Sequence, residues 1–467
     1  MPLTLSLFLP LRPGRRIYNM KIGLIYPSRS RKHTYSSSYP PLQHFFDTNY
    51  YVPSFYLPSL SLLTIAACTP PEEEIKLIDE RVSPIDFGEP FDIVGISILT
   101  EQARRGYEIA QRFKERGVFT VMGGIHASVL PNEAKQYCDA VVIGEGEITW
   151  PDLLKDYRKG TTKEFYINSG QVDLERSPIP RYDLVDVHAY PFIPLQTTRG
   201  CPLDCSFCTV TNVYGPKFRN KATDQIMREL ETILKISINR KIVFNDDNMF
   251  VNRAKSYELL KAIKPLKIKY FAESDISIAE DEELLDLLWA SGCVTVFIGF
   301  ESLVPENLDS IQRNKWKRHY LETYAEAREK IQAHGIQVLG AFILGFDHDT
   351  QEVFQNTKRF VLDNDMLGQF HIMTPFPGTR TRDVLIKEKR LPENDDRWDV
   401  YSCFDAVYSP KLMTNEDLEA GLLDVYQTVY SREAYLKRAR HMIEIFKTLR
   451  RNDERTSPED HFNKSTA

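Results

Sequence analysis

Twice along this chain, short runs of consecutive apolar residues alternate with amphipathic stretches. No other feature of the sequence restricts the fold as strongly. The first series runs KIGLIYP, EIKLIDER, DIVGISIL, VFTVMGG and DAVVIGE, with the helix-like stretches PSLSLLTIAACT, EQARRGYEIAQRFKERG, PNEAKQY and TWPDLLKDYRKG placed among them. Strands that are apolar on both faces are buried on both faces, the condition met in a parallel sheet covered by helices. The expected unit is α/β, a doubly wound parallel sheet over residues 20–160, with its ligand beyond the carboxyl ends of the strands. A long Ser/Tyr/Pro-rich loop, 28–56, follows the first strand. The polar, proline-bearing segment 161–192, with SPIPRYDLV, reads as a linker.

The second series reads FIPLQTT, RKIVFN, IKYFAES, TVFIGFE, QVLGAFILG and GQFHIMTP, again with helical stretches between strands. A complete eight-unit barrel takes about 250 residues. Six units over 193–395 therefore predict a partial (β/α)6 barrel with one open side. Residues 396–450 predict a helical extension and 451–467 a disordered tail.

Hydrophobic residues make up 42% of the 467 and charged residues 27%, an ordinary composition for a soluble protein. A net charge of −6 on this length gives no reason to expect a nucleic-acid partner. No apolar run approaches the ~18 residues of a transmembrane segment. Residues 1–19 include the apolar run LTLSLFLPL, but no basic residue precedes it and no small-residue cleavage site follows. They are expected to be a start-site extension or disordered leader rather than a signal peptide. Sparse cysteines place the chain in the cytoplasm.

Three of the seven cysteines crowd into TTRGCPLDCSFC, as Cys201, Cys205 and Cys208. Pairing within the trio would leave an odd thiol, and Cys68, Cys138, Cys293 and Cys403 are isolated. The C-x3-C-x2-C spacing follows the first strand of the second series, on the face where barrels place active sites. A four-iron cluster ligated wholly by protein needs four thiolates; three leave one iron open. Structural zinc is the alternative, but it wants a fourth Cys or His close by, and the nearest, His188, lies upstream in the linker.

With these cysteines, Phe207 before the last of them and six strand–helix units, the chain resembles the radical S-adenosylmethionine superfamily. The resemblance implies a [4Fe-4S] cluster whose open iron is chelated by the amino and carboxylate groups of S-adenosylmethionine. An electron from the cluster then splits the sulfonium to a 5′-deoxyadenosyl radical. Phe207 matches the aromatic that packs near adenine, or belongs to the core. Asp246 and Asp247 in VFNDDN stand where the family binds the methionyl amine. Glu273 and Asp275 in AESD, and Glu301 in GFES, match positions that hold ribose or methionine. All of these acidic residues have a second reading, as caps of the next helix. LGFDHDT resembles the family's glycine-bearing turn, TPFPGT is expected at the substrate mouth, and His371 reads equally as a core histidine.

The first domain, placed before such a barrel, resembles the cobalamin-binding domain of cobalamin-dependent members of this superfamily. The matching residues are Ser97 and Thr100 in GISILT, Gly123, Gly124, His126 and Ser128 in MGGIHAS, and Gly144, Glu145, Gly146 and Glu147 in IGEGE. Glycines let backbone approach a flat macrocycle, although a short G-x-G also marks tight turns. The D-x-H-x-x-G motif that gives cobalt a histidine is absent; the loop after the first strand reads PSRSRKHTYSSSYPPLQHFF. The resemblance then implies a lower cobalt face that is open or contacted by another group. His126 is one candidate neighbour and an ordinary polar loop residue the other reading.

The implied function is cobalamin-dependent radical methylation of an unactivated carbon. Oxidative cyclisation of the anaerobic magnesium-protoporphyrin monomethyl ester cyclase type is the runner-up. An iron–sulfur carrier or a zinc-stabilised binding module without catalysis stands third. The chemistry implies a small-molecule, lipid or tetrapyrrole substrate and a ferredoxin or flavodoxin electron donor. The aromatic-rich PSFYLPSL and DRWDVYSCFDAVY are expected at the substrate entrance or packed at domain seams.

Overall fold

The computed structural model describes residues 19–28, 37–49, 51–52, 56–168, 170–236 and 241–455. The expected leader, but for its last residue, and most of the expected tail lie outside the described residues. The first sheet contains β1 (Lys21–Tyr26), β2 (Glu74–Asp79), β3 (Ile93–Ser97), β4 (Phe119–Gly123), β5 (Ala140–Ile143) and β6 (Phe165–Ile167). Their order is β2-β1-β3-β4-β5-β6, and every pairing is parallel. Ile22, Leu24, Ile25, Ile93, Val94 and Ile96 are fully or almost fully buried on both faces of the sheet. That is why these strands read as unbroken apolar runs rather than alternating ones.

Two expectations are corrected here. The segment 161–192 is not wholly a linker, because β6 pairs with β5 through Val142 and Tyr166. With three residues it is too short to show a pattern. The expected loop over 28–56 contains a helix, Pro40–Thr48, whose Phe46 ring lies 5.1 Å from Phe404 and 5.1 Å from Tyr426.

The chain leaves β1 for β2 on one side of the sheet and returns to β3 on the other. The strand order therefore reverses between β1 and β3, and a crevice opens at their carboxyl ends. The second sheet comprises β7 (Phe192–Leu195), β10 (Lys241–Phe244), β11 (Tyr270–Ser274), β12 (Cys293–Glu301), β13 (Gln337–Leu344) and β14 (Leu367–Ile372). These follow one another in chain order, all parallel, and β7 does not pair with β14. The result is the open six-unit barrel that the sequence predicts. A short antiparallel pair, β8 (Thr198–Arg199) with β9 (Arg219–Asn220), stands beside β7.

The helix Asn415–Val429 seals one open edge. Its Tyr426 hydroxyl accepts from the Phe370 N–H at 3.2 Å and donates to the Phe370 carbonyl at 3.0 Å. The Tyr430 hydroxyl, just beyond the helix, treats Gly368 the same way, at 3.2 and 2.6 Å. Two buried phenols thus satisfy backbone groups of β14 that a neighbouring strand would otherwise pair. A second helix runs over Arg432–Arg455, so the first residues of the expected tail continue a helix. Among the described residues no helix is long and apolar enough to cross a membrane.

Candidate active site

The cysteine loop leaves β8 through Gly200 at φ +90°, where an added Cβ would lie 2.8 Å from the Lys217 carbonyl oxygen; only glycine fits. Two carboxylates following β10 brace this turn. Asp246 accepts from the Thr197 and Thr198 N–H groups at 2.7 and 2.6 Å and from the Thr197 hydroxyl at 2.7 Å. Asp247 accepts from the Gly200 N–H at 3.0 Å. Other loops pin the far side: Ser206 N–H donates to the Ile311 carbonyl at 2.8 Å, and Thr381 N–H to the Ser206 carbonyl at 3.1 Å.

Cys201, Cys205 and Cys208 are free, half-buried thiols. Burial pushes the Cys201 thiol up to about 11 and Cys208 to about 12, and the nearby Cys205 adds to both shifts. A soft cation would reverse that cost by holding the thiolates. Among the described residues no three His, Cys or carboxylate side chains converge on a point that would hold a single ion. The donor set is three soft thiols with no imidazole among them, and it fits an iron–sulfur cluster with one position left open.

The remaining acidic candidates divide. Asp246 is buried and fully engaged by backbone and hydroxyl donors, so the structure uses it to hold the cysteine turn instead of offering it to an amine. Asp275 accepts from the Ser277 N–H and hydroxyl at 2.9 and 2.5 Å and from the Asn248 amide at 2.7 Å. It is the cap of the turn Ile276–Glu280, its second reading. Glu301, at φ +66°, is neutralised by the Lys317 ammonium at 2.9 Å. Glu273 stands differently. Burial, with the Asp247 and Asp246 carboxylates nearby, pushes it up to about 8. Phe207 packs 6.2 Å from Phe346, in the turn after β13. His371 lies against Phe404 and faces the Gln369 amide at 3.1 Å.

A cavity of about 440 Å³ lies between the sheet's carboxyl edge and the barrel. Ser97, Gly123, Gly124, Ser128, Gly144, Glu145, Gly146 and Glu147 all line it, together with Ser59, Ser61, Arg81, Gln196, Arg199 and Asn245. Its apolar lining includes Leu24, Leu62, Gly95, Val121, Val142 and Trp150. Gly124, at φ +91°, would carry a Cβ 2.7 Å from the Ile98 carbonyl, and Gly144, at φ +80°, faces open space. A wall of bare backbone and small hydroxyls with apolar side chains alongside fits a flat macrocycle with a heterocyclic tail.

His126 and Thr100 are not part of this lining. The His126 ring is fully buried, with Nε2 3.0 Å from the Tyr107 hydroxyl and its ring 5.1 Å from Trp398. It joins the sheet domain to the C-terminal extension, which corrects its placement beside cobalt. Trp398 and Phe404, from DRWDVYSCFDAVY, likewise pack at seams. Thr100 is buried at the start of the turn Thr100–Gln102.

Glu145 proves to be more than a glycine neighbour. Its buried carboxylate accepts from Arg199 and, at 2.9 Å, from Arg219, while Glu147 takes Arg199 at 2.8 Å. Two arginines of the barrel thus clasp two carboxylates of the sheet domain beside the cavity. The two guanidinium groups hold the Glu145 carboxyl below its ordinary value. Sequence reading missed Arg199, Arg219, Ser59, Ser61 and Arg81. Arg199 sits two residues before Cys201, and that adjacency was the one available signal.

Known proteins bear the same stamp. A model of the radical SAM superfamily matches residues 195–361, and one of the B12 binding domain matches 57–154. The chain is 31% identical over 390 residues to bacteriochlorophyllide d C-12(1)-methyltransferase of Chlorobaculum tepidum, spanning 81% of this chain and 84% of that one. It is 27% identical to the hopanoid C-2 methylase of Rhodopseudomonas palustris over 88% of this chain and 78% of the other. In fold it matches the radical S-adenosylmethionine methyltransferase TsrM from Kitasatospora setae, solved with cobalamin and a [4Fe-4S] cluster. That match has a TM-score of 0.66 and 15% identity, and covers 88% of this chain and 89% of that chain.

Proposed function

Because the chain belongs to the cobalamin-dependent radical S-adenosylmethionine family, whose members carry a [4Fe-4S] cluster and cobalamin, we propose that it methylates an unactivated carbon of a large, mostly apolar small molecule. The observation that carries this reading is the adjacency of the two sites. Arg199 and Asn245 line the cavity, and the same two stretches of chain carry Cys201 and Asp246. A carbon held at this junction would lie between the residues that would hold the cluster and those that would hold cobalamin. The names of the bacteriochlorophyllide and hopanoid relatives support a tetrapyrrole or polycyclic-lipid substrate.

In this reading Cys201, Cys205 and Cys208 hold the cluster, and Asp247, Glu273 and Phe207 surround S-adenosylmethionine. Ser61, Ser97, Gly124, Ser128 and Gly144 seat cobalamin. When bound, the cluster supplies the electron that splits S-adenosylmethionine, and cobalamin carries the methyl group. A ferredoxin or flavodoxin supplies the electrons. The chain's own part is to orient the partners and keep water from the junction, the task of the Arg199–Glu145 clasp and the barrel mouth.

Anaerobic turnover with S-adenosylmethionine, hydroxocobalamin, a reductant and a tetrapyrrole or hopanoid acceptor tests this. The expected products are S-adenosylhomocysteine and 5′-deoxyadenosine together, with one methyl added to the acceptor. Deoxyadenosine without S-adenosylhomocysteine would point to cyclisation instead.

Two further results are expected. Ser61 is exposed at the cavity wall, so Ser61→Trp leaves the fold alone and fills the opening. Cobalamin retained after desalting should fall several-fold while iron content is unchanged. Glu273 is neutral below about 8, and a cationic sulfonium or ammonium beside it favours the carboxylate. Affinity for S-adenosylmethionine should then rise as pH climbs from 7 to 9. Calorimetry should show that rise, and Glu273→Gln should flatten it.

A further inference from the structure

Gln312 is almost completely buried, in the connection after the helix Pro305–Ile311. Its side-chain oxygen accepts from the Lys317 backbone N–H at 3.0 Å. An amide oxygen fixed by an N–H leaves the amide nitrogen only one direction, and Nε2 lies 3.1 Å from Sγ of Cys205. Backbone holds the two residues in that relation as well. Cys205 and Gln312 form an antiparallel bridge, and Ser206 N–H donates to the Ile311 carbonyl at 2.8 Å. The donor is a side-chain amide held in place by main-chain groups on both sides.

Behind Gln312, the Lys317 ammonium is buried, donating to the Gly299 carbonyl at 2.6 Å and to Glu301 at 2.9 Å. Against burial, both the Gln312 amide and the Lys317 charge favour the Cys205 thiolate. The Lys317 charge reaches Cys201 as well, beside backbone help near Leu203, whereas Cys208 has backbone help near Val210. Of the three sulfurs, Cys205 is the one with a side-chain donor aimed at it among the described residues.

We propose that Gln312 is a positioning and tuning residue whose amide donates to the Cys205 thiolate and raises the reduction potential of the cluster that this thiolate holds. Reduction adds one negative charge, shared over the sulfurs, and a donor to a ligand sulfur stabilises the reduced state more than the oxidised one. The segment Gln312–Lys317 then sets how strong a reductant the cluster becomes. The inference rests on Cys205 being a cluster ligand.

The test is a redox titration of the reconstituted full chain, without S-adenosylmethionine, followed by electron paramagnetic resonance. Gln312→Leu removes the donor. Gln312→Glu keeps an oxygen for the Lys317 N–H and replaces the donor with an anion. Both should move the midpoint to more negative values, Gln312→Glu further, with iron, sulfide and cobalamin content as in the unaltered protein. An unchanged midpoint in a variant holding its full cluster would overturn the proposal. Should neither variant assemble a cluster, unaltered protein labelled with nitrogen-15 in the glutamine amide decides the matter. Pulsed resonance should detect coupling of that nitrogen to the reduced cluster, and its absence overturns the hydrogen bond. Failure of the underlying reading looks different: a Cys205→Ala protein would keep its iron and its spectrum.

Discussion

Replacing Cys201, Cys205 and Cys208 together by alanine will give a chain that folds, holds no cluster and cleaves no S-adenosylmethionine. The fold should survive because the cysteine loop is held by groups other than the thiols: Asp246 and Asp247 brace its start, and the Ile311 carbonyl and Thr381 N–H pair with Ser206. The thiols are only half-buried, so shortening them opens little cavity. The loss should be all-or-none, since no other cysteine lies within the loop to substitute. Cobalamin retention should persist, because the 440 Å³ cavity is lined by none of the three. Iron and sulfide analysis, with chromatography of 5′-deoxyadenosine, reads both halves of the expectation. A triple variant that still cleaves S-adenosylmethionine would falsify the cluster assignment.

The second large effect concerns Glu145. Its buried carboxylate stands between the Arg199 and Arg219 guanidinium groups and also accepts from the Val172 N–H at 2.9 Å. Glu145→Gln removes the one charge that both arginines share, leaving Arg219 without an acidic partner among the described residues. Removing one partner of a buried ion pair costs roughly 3–5 kcal/mol, because the remaining charge stays desolvated. Chemical denaturation should show a loss of that order, and cobalamin should dissociate more readily, since the clasp joins sheet to barrel beside the cavity. The comparison is Asp224→Asn, which breaks an exposed pair with Arg228 at 2.6 Å and should leave the denaturation midpoint almost unchanged, because water screens such a pair. The sign of the pH dependence follows from the depressed Glu145 carboxyl. Its stabilisation is complete above the ordinary glutamate value near 4.5 and is lost as pH falls through the lower folded-state value. Equal effects of Glu145→Gln and Asp224→Asn would contradict the clasp.

The fold was legible in the sequence because strands buried on both faces announce themselves as apolar runs: KIGLIYP, DIVGISIL and QVLGAFILG became β1, β3 and β13. The misses were elements without a core to advertise. FYI, three residues long, formed an edge strand, and the helix Pro40–Thr48 begins in a stretch that reads as loop. At the site, the cysteines carry their meaning in their spacing. Acidic residues do not, since Asp246, Asp275 and Glu301 look alike in sequence and differ only in the donors that tertiary structure brings to them. Asp246 met two N–H groups, Asp275 capped a turn and Glu301 met Lys317. His126 failed for the same reason: its chemistry suits a metal, but its ring faces Tyr107 and Trp398. Gln312 lies 107 positions from Cys205, and no local pattern could have joined them.

Everything proposed for this chain requires that it hold a cluster and a cobalamin side by side. Anaerobic reconstitution with iron, sulfide and hydroxocobalamin, followed by desalting and assay of both metals, tests it directly. The predicted result is one cobalt for every four irons, with cobalt alone falling several-fold in Ser61→Trp and iron alone lost in the cysteine variant. Full iron with no retained cobalt in the unaltered protein would contradict it, and the sheet domain would then be something other than a cofactor site.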